Sequence, residues 1–240
     1  MRLVRRIFLT VTALALILGT GVALVLPGPQ HMICPSCHDL EQIAPAVFVE
    51  RAIGPAKRRR ILANLEVANR RVARFFGPLE AAPRIVVCRT GHCAAQFGGR
   101  GAKGVAYGWF AILLVESRIF SVIAAHELVH TELHWRSGAL GWLRGHVPAW
   151  FDEGLATVIS KDPRFQQDTA DHAVRDIMKV NSFSSEWGEH VRKVGWRTAY
   201  GAASTRVRQL KRRLGREKFK RFVQEVVREG LHIPSGHGPH

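Results

Sequence analysis

The segment His126-Glu127-Leu128-Val129-His130 constrains this 240-residue chain more than any other. Four residues advance an α-helix by about 400°, so its two histidines stand on one face, one turn apart. Imidazoles at that separation can share one metal ion, with nitrogen–metal distances of about 2.0–2.1 Å for zinc. Glu127, on the adjoining position, can reach a water on such an ion and accept its proton. Apolar Ile123, Ala124, Leu128, Val129 and Leu133 surround the pattern. The helix predicted over 119–135 therefore belongs inside the protein, and the fold has to bring a third ligand to it.

A catalytic zinc takes three protein ligands and keeps one position open. His134 lies two turns, roughly 12 Å, beyond His126 and cannot share that ion without breaking the helix. It reads as a surface residue or as a group behind the ligands. His146 follows Gly141 and Gly145 in a predicted loop and could reach the ion. Glu153, in Pro148-Ala-Trp-Phe-Asp-Glu-Gly-Leu-Ala156, is the stronger candidate. Pro148 suits a helix start, the pattern continues as helix over 149–159, and Glu153 sits one turn in. Gly154 is read as letting this helix approach the first one closely.

His126-Glu127-x-x-His130 followed after 19 residues by Trp150-Phe-Asp-Glu-Gly-Leu-Ala156 resembles the gluzincin zinc metallopeptidases, in particular the peptidase MA-like families. The likeness covers 119–160 and extends weakly over 84–115 and 196–229. It implies an α+β fold: a zincin-like domain with a small sheet, a zinc-binding active-site helix and C-terminal helices. It implies Zn²⁺ on His126, His130 and Glu153, Glu127 as general base, and a peptide or protein substrate whose peptide bonds are hydrolysed. Such enzymes bind the peptide edge-on against a strand before the zinc helix, here residues 111–115, through backbone hydrogen bonds. A tyrosine or histidine donates to the oxyanion. Tyr200 is the better candidate and His190 the weaker one, because the other tyrosine, Tyr107, precedes the substrate strand. The metzincin pattern would place a histidine at 136, where this chain has Arg136. A signature for free amino termini is not visible, which leaves exopeptidase activity open. A non-hydrolytic zinc-binding envelope protein is the alternative from another class.

Residues 1–6 carry Arg2, Arg5 and Arg6 without an acid, and residues 7–26 carry no charge at all. Twenty uncharged, mostly apolar residues in a helix span the roughly 30 Å core of a bilayer. The run exceeds the roughly 7–15 residues of a secretory leader and lacks a small-x-small site at its end. It reads as an uncleaved signal anchor, a transmembrane helix with the rest of the chain on the exported, periplasmic or extracellular side.

The formal charge of +16, from 35 Lys+Arg against 19 Asp+Glu, suggests a nucleic-acid binder at first sight. Three of those charges set topology, and +13 remains on residues exported away from nucleic acid. The remaining charge is a solvated face or a surface facing an anionic envelope. Apolar residues at 47% and charged residues at 22% exclude a disordered polymer and a many-pass membrane protein.

The four cysteines form two close pairs, Cys34/Cys37 and Cys88/Cys93. An even count in an oxidising compartment reads first as two disulfides. Cys34-Pro-Ser-Cys37-His38 also matches the c-type haem attachment pattern, which would make the chain an electron carrier. A four-cysteine zinc site and a redox C-x-x-C pair are the other options.

The division that follows is an anchor at 1–26, a juxtamembrane cysteine segment at 27–56, a catalytic domain at 57–232 and a disordered tail at 233–240. Prolines make 27–55 read as a loop. Helix is predicted over 57–76, ending at Gly77-Pro78, and strand over 84–88. A glycine-containing loop follows over 91–104, then one strand over 105–115. Residues 202–228 read as two basic amphipathic helices broken near Gly215.

Overall fold

The computed structural model describes residues 28–181 and 186–231. The predicted anchor and the predicted tail lie outside the described residues. Among the described residues, no helix is long and apolar enough to cross a membrane.

Short β-branched and aliphatic runs build one five-stranded sheet. Its strands are β1 (Leu40–Ala44), β2 (Val47–Glu50), β3 (Arg84–Cys88), β4 (Gly104–Tyr107) and β5 (Ala111–Val115), in the order β1-β2-β3-β5-β4. β2, β3 and β5 run parallel, and an antiparallel strand closes each edge. Side chains alternate between faces with period two. Val47, Val49, Ile85, Val87, Ile112 and Leu114 enter the main core under the helices. Phe48, Val86, Cys88, Ala111 and Leu113 enter a smaller core on the other face with Met32, Cys93 and Phe97. Burial on both faces explains why β5 and β3 after Arg84 are apolar.

The helices are α1 (Pro55–Phe76), α2 (Gly91–Gln96), α3 (Phe120–Leu143), α4 (Ala149–Ser160), α5 (Asp171–Ile177), α6 (Gly188–Val194), α7 (Trp196–Leu214) and α8 (Arg216–Glu229). α1 starts at Pro55, buries Ile61, Leu65, Ala68 and Val72 along one stripe, and stops at Gly77 with φ +84°. α3 carries the two histidines. It is apolar on most sides, so it lies within the fold, against α1, α4, α8 and the sheet. Glu132 of α3, also buried, accepts the Glu80 and Ala81 amides at 2.8 Å each and is ion-paired with Arg136 at 2.9 Å. Those bonds tie the segment leading into β3 to the helix.

The α+β architecture, the boundaries of β3 and the break at Gly215 (φ +73°) follow the sequence pattern. Four expectations are corrected. The described part of the expected 27–55 loop, residues 28–54, is not a loop: it forms two short 3₁₀ turns and the β1–β2 hairpin. Strands this short carry too few alternations to outweigh the flanking prolines in a sequence reading. Residues 91–96 form α2, capped by the Thr90 hydroxyl, which accepts the Cys93 amide at 3.1 Å. Residues 105–115 are a hairpin, reversed at Gly108 with φ +57°. β5 is consequently paired on both sides and has no edge to offer a peptide; the free edge belongs to β4.

The fourth correction concerns Gly154. A Cβ there would lie 2.5 Å from the Ala203 carbonyl oxygen and 2.7 Å from Val207, both on α7. The glycine thus admits α7, not α3, against α4. Both cysteine pairs are disulfides, Cys34–Cys37 and Cys88–Cys93. Their sulfurs are bonded to one another, which leaves none for a haem thioether or a four-thiolate zinc site.

Gly154→Ala is expected to lose stability. Overpacking costs about 1–3 kcal/mol, and the gain in helix propensity returns only about 1 kcal/mol. A clash against backbone cannot be relieved by a rotamer change. Thermal unfolding should show a Tm several degrees lower; an unchanged or raised Tm would contradict this packing.

Candidate metal centre

The i, i+4 spacing and the seating of α4 bring three donors together. His126, His130 and Glu153 are all buried, and each offers a ligand atom within 4.8 Å of the others. Glu153 Oε2 is 3.0 Å from His126 Nε2 and 3.5 Å from His130 Nε2. These three residues could hold a metal ion, and the surrounding charge suits a cation. Glu127, Asp152 and Glu153 are three buried carboxyls, and the cationic groups acting on them are histidines.

Asp152, fully buried in the first turn of α4, organises the back of the site. His130 donates through Nδ1 to Asp152 Oδ1 at 2.6 Å, which leaves Nε2 turned toward Glu153. His134 Nε2 is 2.9 Å from Asp152 Oδ2. A carboxylate behind a ligating histidine fixes its tautomer and ring orientation. Burial works against the Asp152 charge, but His130 and His134 outweigh it and hold the carboxyl well below its usual range. Burial likewise opposes the Glu153 charge, and His130 and His126 bring its carboxyl down to about 2. Burial alone would lower the His130 imidazole; Asp152 and Glu153 reverse this and raise it well above its ordinary value.

Glu127 differs from its neighbours. Burial pushes its carboxyl up, assisted by the Glu153 charge, against the lowering effect of His126, His130 and the Ala106 amide. The β4 backbone lies directly on it, since a Cβ on Gly104 would fall 2.5 Å from Glu127 Oε1. The Val115 amide donates to the Lys103 carbonyl at 2.9 Å. By antiparallel alternation, Val105 and Tyr107 therefore face β5 while Gly104 and Ala106 turn their amides and carbonyls outward. A cleft of about 300 Å³ opens here, lined by Gly104, His126, Glu127, Arg164, Trp196 and Tyr200 among others.

Tyr200 of α7 reaches the site from the far side and donates to Glu153 Oε1 at 3.3 Å. Burial first, then the Glu153 and Glu127 charges, push its phenol well above the usual value. The remaining sequence candidates lie elsewhere. His146 packs against Gly141 and Gly230, and His190 sits on α6 away from the cleft lining. A second group, Glu50, Cys88 and Cys93, is close enough for a metal, but its cysteines form the disulfide.

Asp152 and Arg164 were not singled out from the sequence. Asp152 had a signal: an acid next to a candidate ligand in an otherwise apolar helix. Arg164 had none, because its place in the cleft rests on a bidentate pairing with buried Asp162, at 2.9 and 2.6 Å. No model of a known protein family matches the chain, and no curated protein matches it.

Asp152→Asn keeps the shape but removes the charge behind His130. Affinity for a divalent metal, read by competition with a chromophoric chelator, should fall by about 10–100-fold, with the helical circular dichroism preserved. Unchanged affinity would show that Asp152 does not orient a ligand.

Proposed function

We propose that the chain is a gluzincin-like zinc metallopeptidase with a zincin-like domain, held on a membrane by residues 1–26. The observation that carries this reading is the convergence of buried His126, His130 and Glu153, beside a cleft lined by His126 and Glu127. Two imidazole nitrogens and one carboxylate oxygen are the donor set of a catalytic zinc with an open position. Bound zinc supplies a Lewis acid that polarises a carbonyl and acidifies water.

The protein groups around that ion have separable tasks. Glu127, with its carboxyl raised by burial, accepts a proton from the attacking water and returns it to the leaving amine. The outward Gly104 amide and the outward carbonyls of Gly104 and Ala106 offer an extended peptide a strand to pair with, irrespective of its side chains. The Tyr200 hydroxyl, already in the cleft, supplies a donor for the oxygen on which charge develops. Asp152 and His134 keep His130 oriented. The substrate is a peptide or an unfolded protein segment, because β4 has to be matched by another extended backbone.

Glu127→Gln should retain stoichiometric zinc and lose cleavage of a broad peptide library by about 10²–10⁴-fold. Equal cleavage by both proteins, or a wild-type chain that binds no zinc, would overturn the reading. Tyr200→Phe should lower kcat by about 10²-fold and leave KM nearly unchanged. A change confined to KM would remove Tyr200 from the oxyanion role.

A further inference from the structure

The far end of the cleft strand carries an apolar surface that the peptidase reading does not use. β4 ends at Tyr107, and the turn to β5 presents Trp109 and Phe110, the latter 49% exposed. Beside it lies the end of α3, beyond the break at Gly138, where φ is +64°. That last turn presents Leu140, Trp142 and Leu143, exposed at 66%, 46% and 71%. The Trp109 and Trp142 rings meet edge to face with centroids 5.8 Å apart, so the two segments form one patch. Arg144 follows it and is exposed.

Leucine, phenylalanine and tryptophan with an adjacent arginine are the chemistry of a bilayer interface. Aliphatic side chains enter the acyl boundary, indole rings rest at headgroup depth, and guanidinium meets lipid phosphate. The connection to the amino-terminal segment points the same way. Gly28 follows the uncharged run of residues 7–26 by two positions. Gly28 packs on Gly98 so closely that a Cβ would lie 2.7 Å from its Cα. The neighbouring Phe97 carbonyl accepts the Tyr107 hydroxyl, two residues before Trp109. The point where the apolar run meets the domain and the apolar patch are therefore joined through Phe97 and Tyr107.

We infer that the Trp109/Phe110 turn and the Leu140–Leu143 turn dock on an anionic lipid bilayer, the same one that residues 7–26 enter under the proposed anchor reading. The domain then has two attachments and a fixed orientation, with the β4 end of the cleft at the lipid surface. Taken together with the proposed peptidase function, on which this last step rests, the substrate is an extended segment presented at the membrane surface.

The test uses the full chain, one copy per nanodisc, in phosphatidylcholine and phosphatidylglycerol with acyl chains brominated near the headgroup. Bromine quenches indole fluorescence only near contact. The wild type should be quenched, and Trp109→Phe/Trp142→Phe should lose most of that quenching. Leu140→Ser/Leu143→Ser, which alters only exposed positions, should lose at least half of it with an unchanged Tm. Equal quenching in wild type and both variants, or no quenching in any, overturns the inference; a second copy or a protein on the patch gives the latter result. Glu127→Gln should be quenched like the wild type, so that failed docking and failed peptidase chemistry are read separately.

Discussion

The site depends on how α4 is wedged between α3 and α7. Two histidines one turn apart are only a local consequence of helix geometry, and they become a three-donor site when Glu153 comes within 3.0 Å of His126. That approach is held from behind. Gly154 lets the Ala203 carbonyl and Val207 of α7 pack where a side chain would stand, pressing the carboxylate face of α4 toward α3. The same contact places Tyr200, one turn before Ala203, at Glu153. A single close approach of two helices thus sets one candidate ligand, the residue behind another, and the tyrosine facing both.

Electrostatics then separates four acidic groups that look alike in the sequence. Asp152 and Glu153 each lie against histidines and stay ionised despite burial. Glu132 is equally buried, but it is bonded to two backbone amides and Arg136 and serves the fold. Glu127 is left with less compensation, and burial raises its carboxyl. Within the proposed peptidase, that division yields a ligand, an orienting group, a structural clamp and a base from one acid type.

Much of this was legible before the structure. The α1 stripe, the β3 run, the break at Gly215 and the two motif helices all rest on local periodicity; they hold within a few residues, except that α3 continues past 135 to Leu143. Disulfide pairing of near neighbours was likewise the first reading of the cysteines. The errors fall where pairing between distant segments decides the outcome. The β1–β2 hairpin is too short to announce itself. The 105–115 run hides a reversal at a single glycine, and that reversal moves the free sheet edge from β5 to β4. His146 was within plausible reach by loop length, yet it packs against Gly141 and Gly230 instead.

The sequence by itself determined the pairing of His126 with His130, because helix pitch leaves no choice once the segment is helical. It also determined the run of β3, whose period-two alternation puts successive residues on opposite faces. Only the tertiary structure decided that Glu153 completes the group, that Asp152 stands behind His130 and that Tyr200 faces them. It also decided that β4 borders the cleft. Those relations span tens of residues, and they depend on which helix a glycine admits and which strand is left unpaired, neither of which has a local signature.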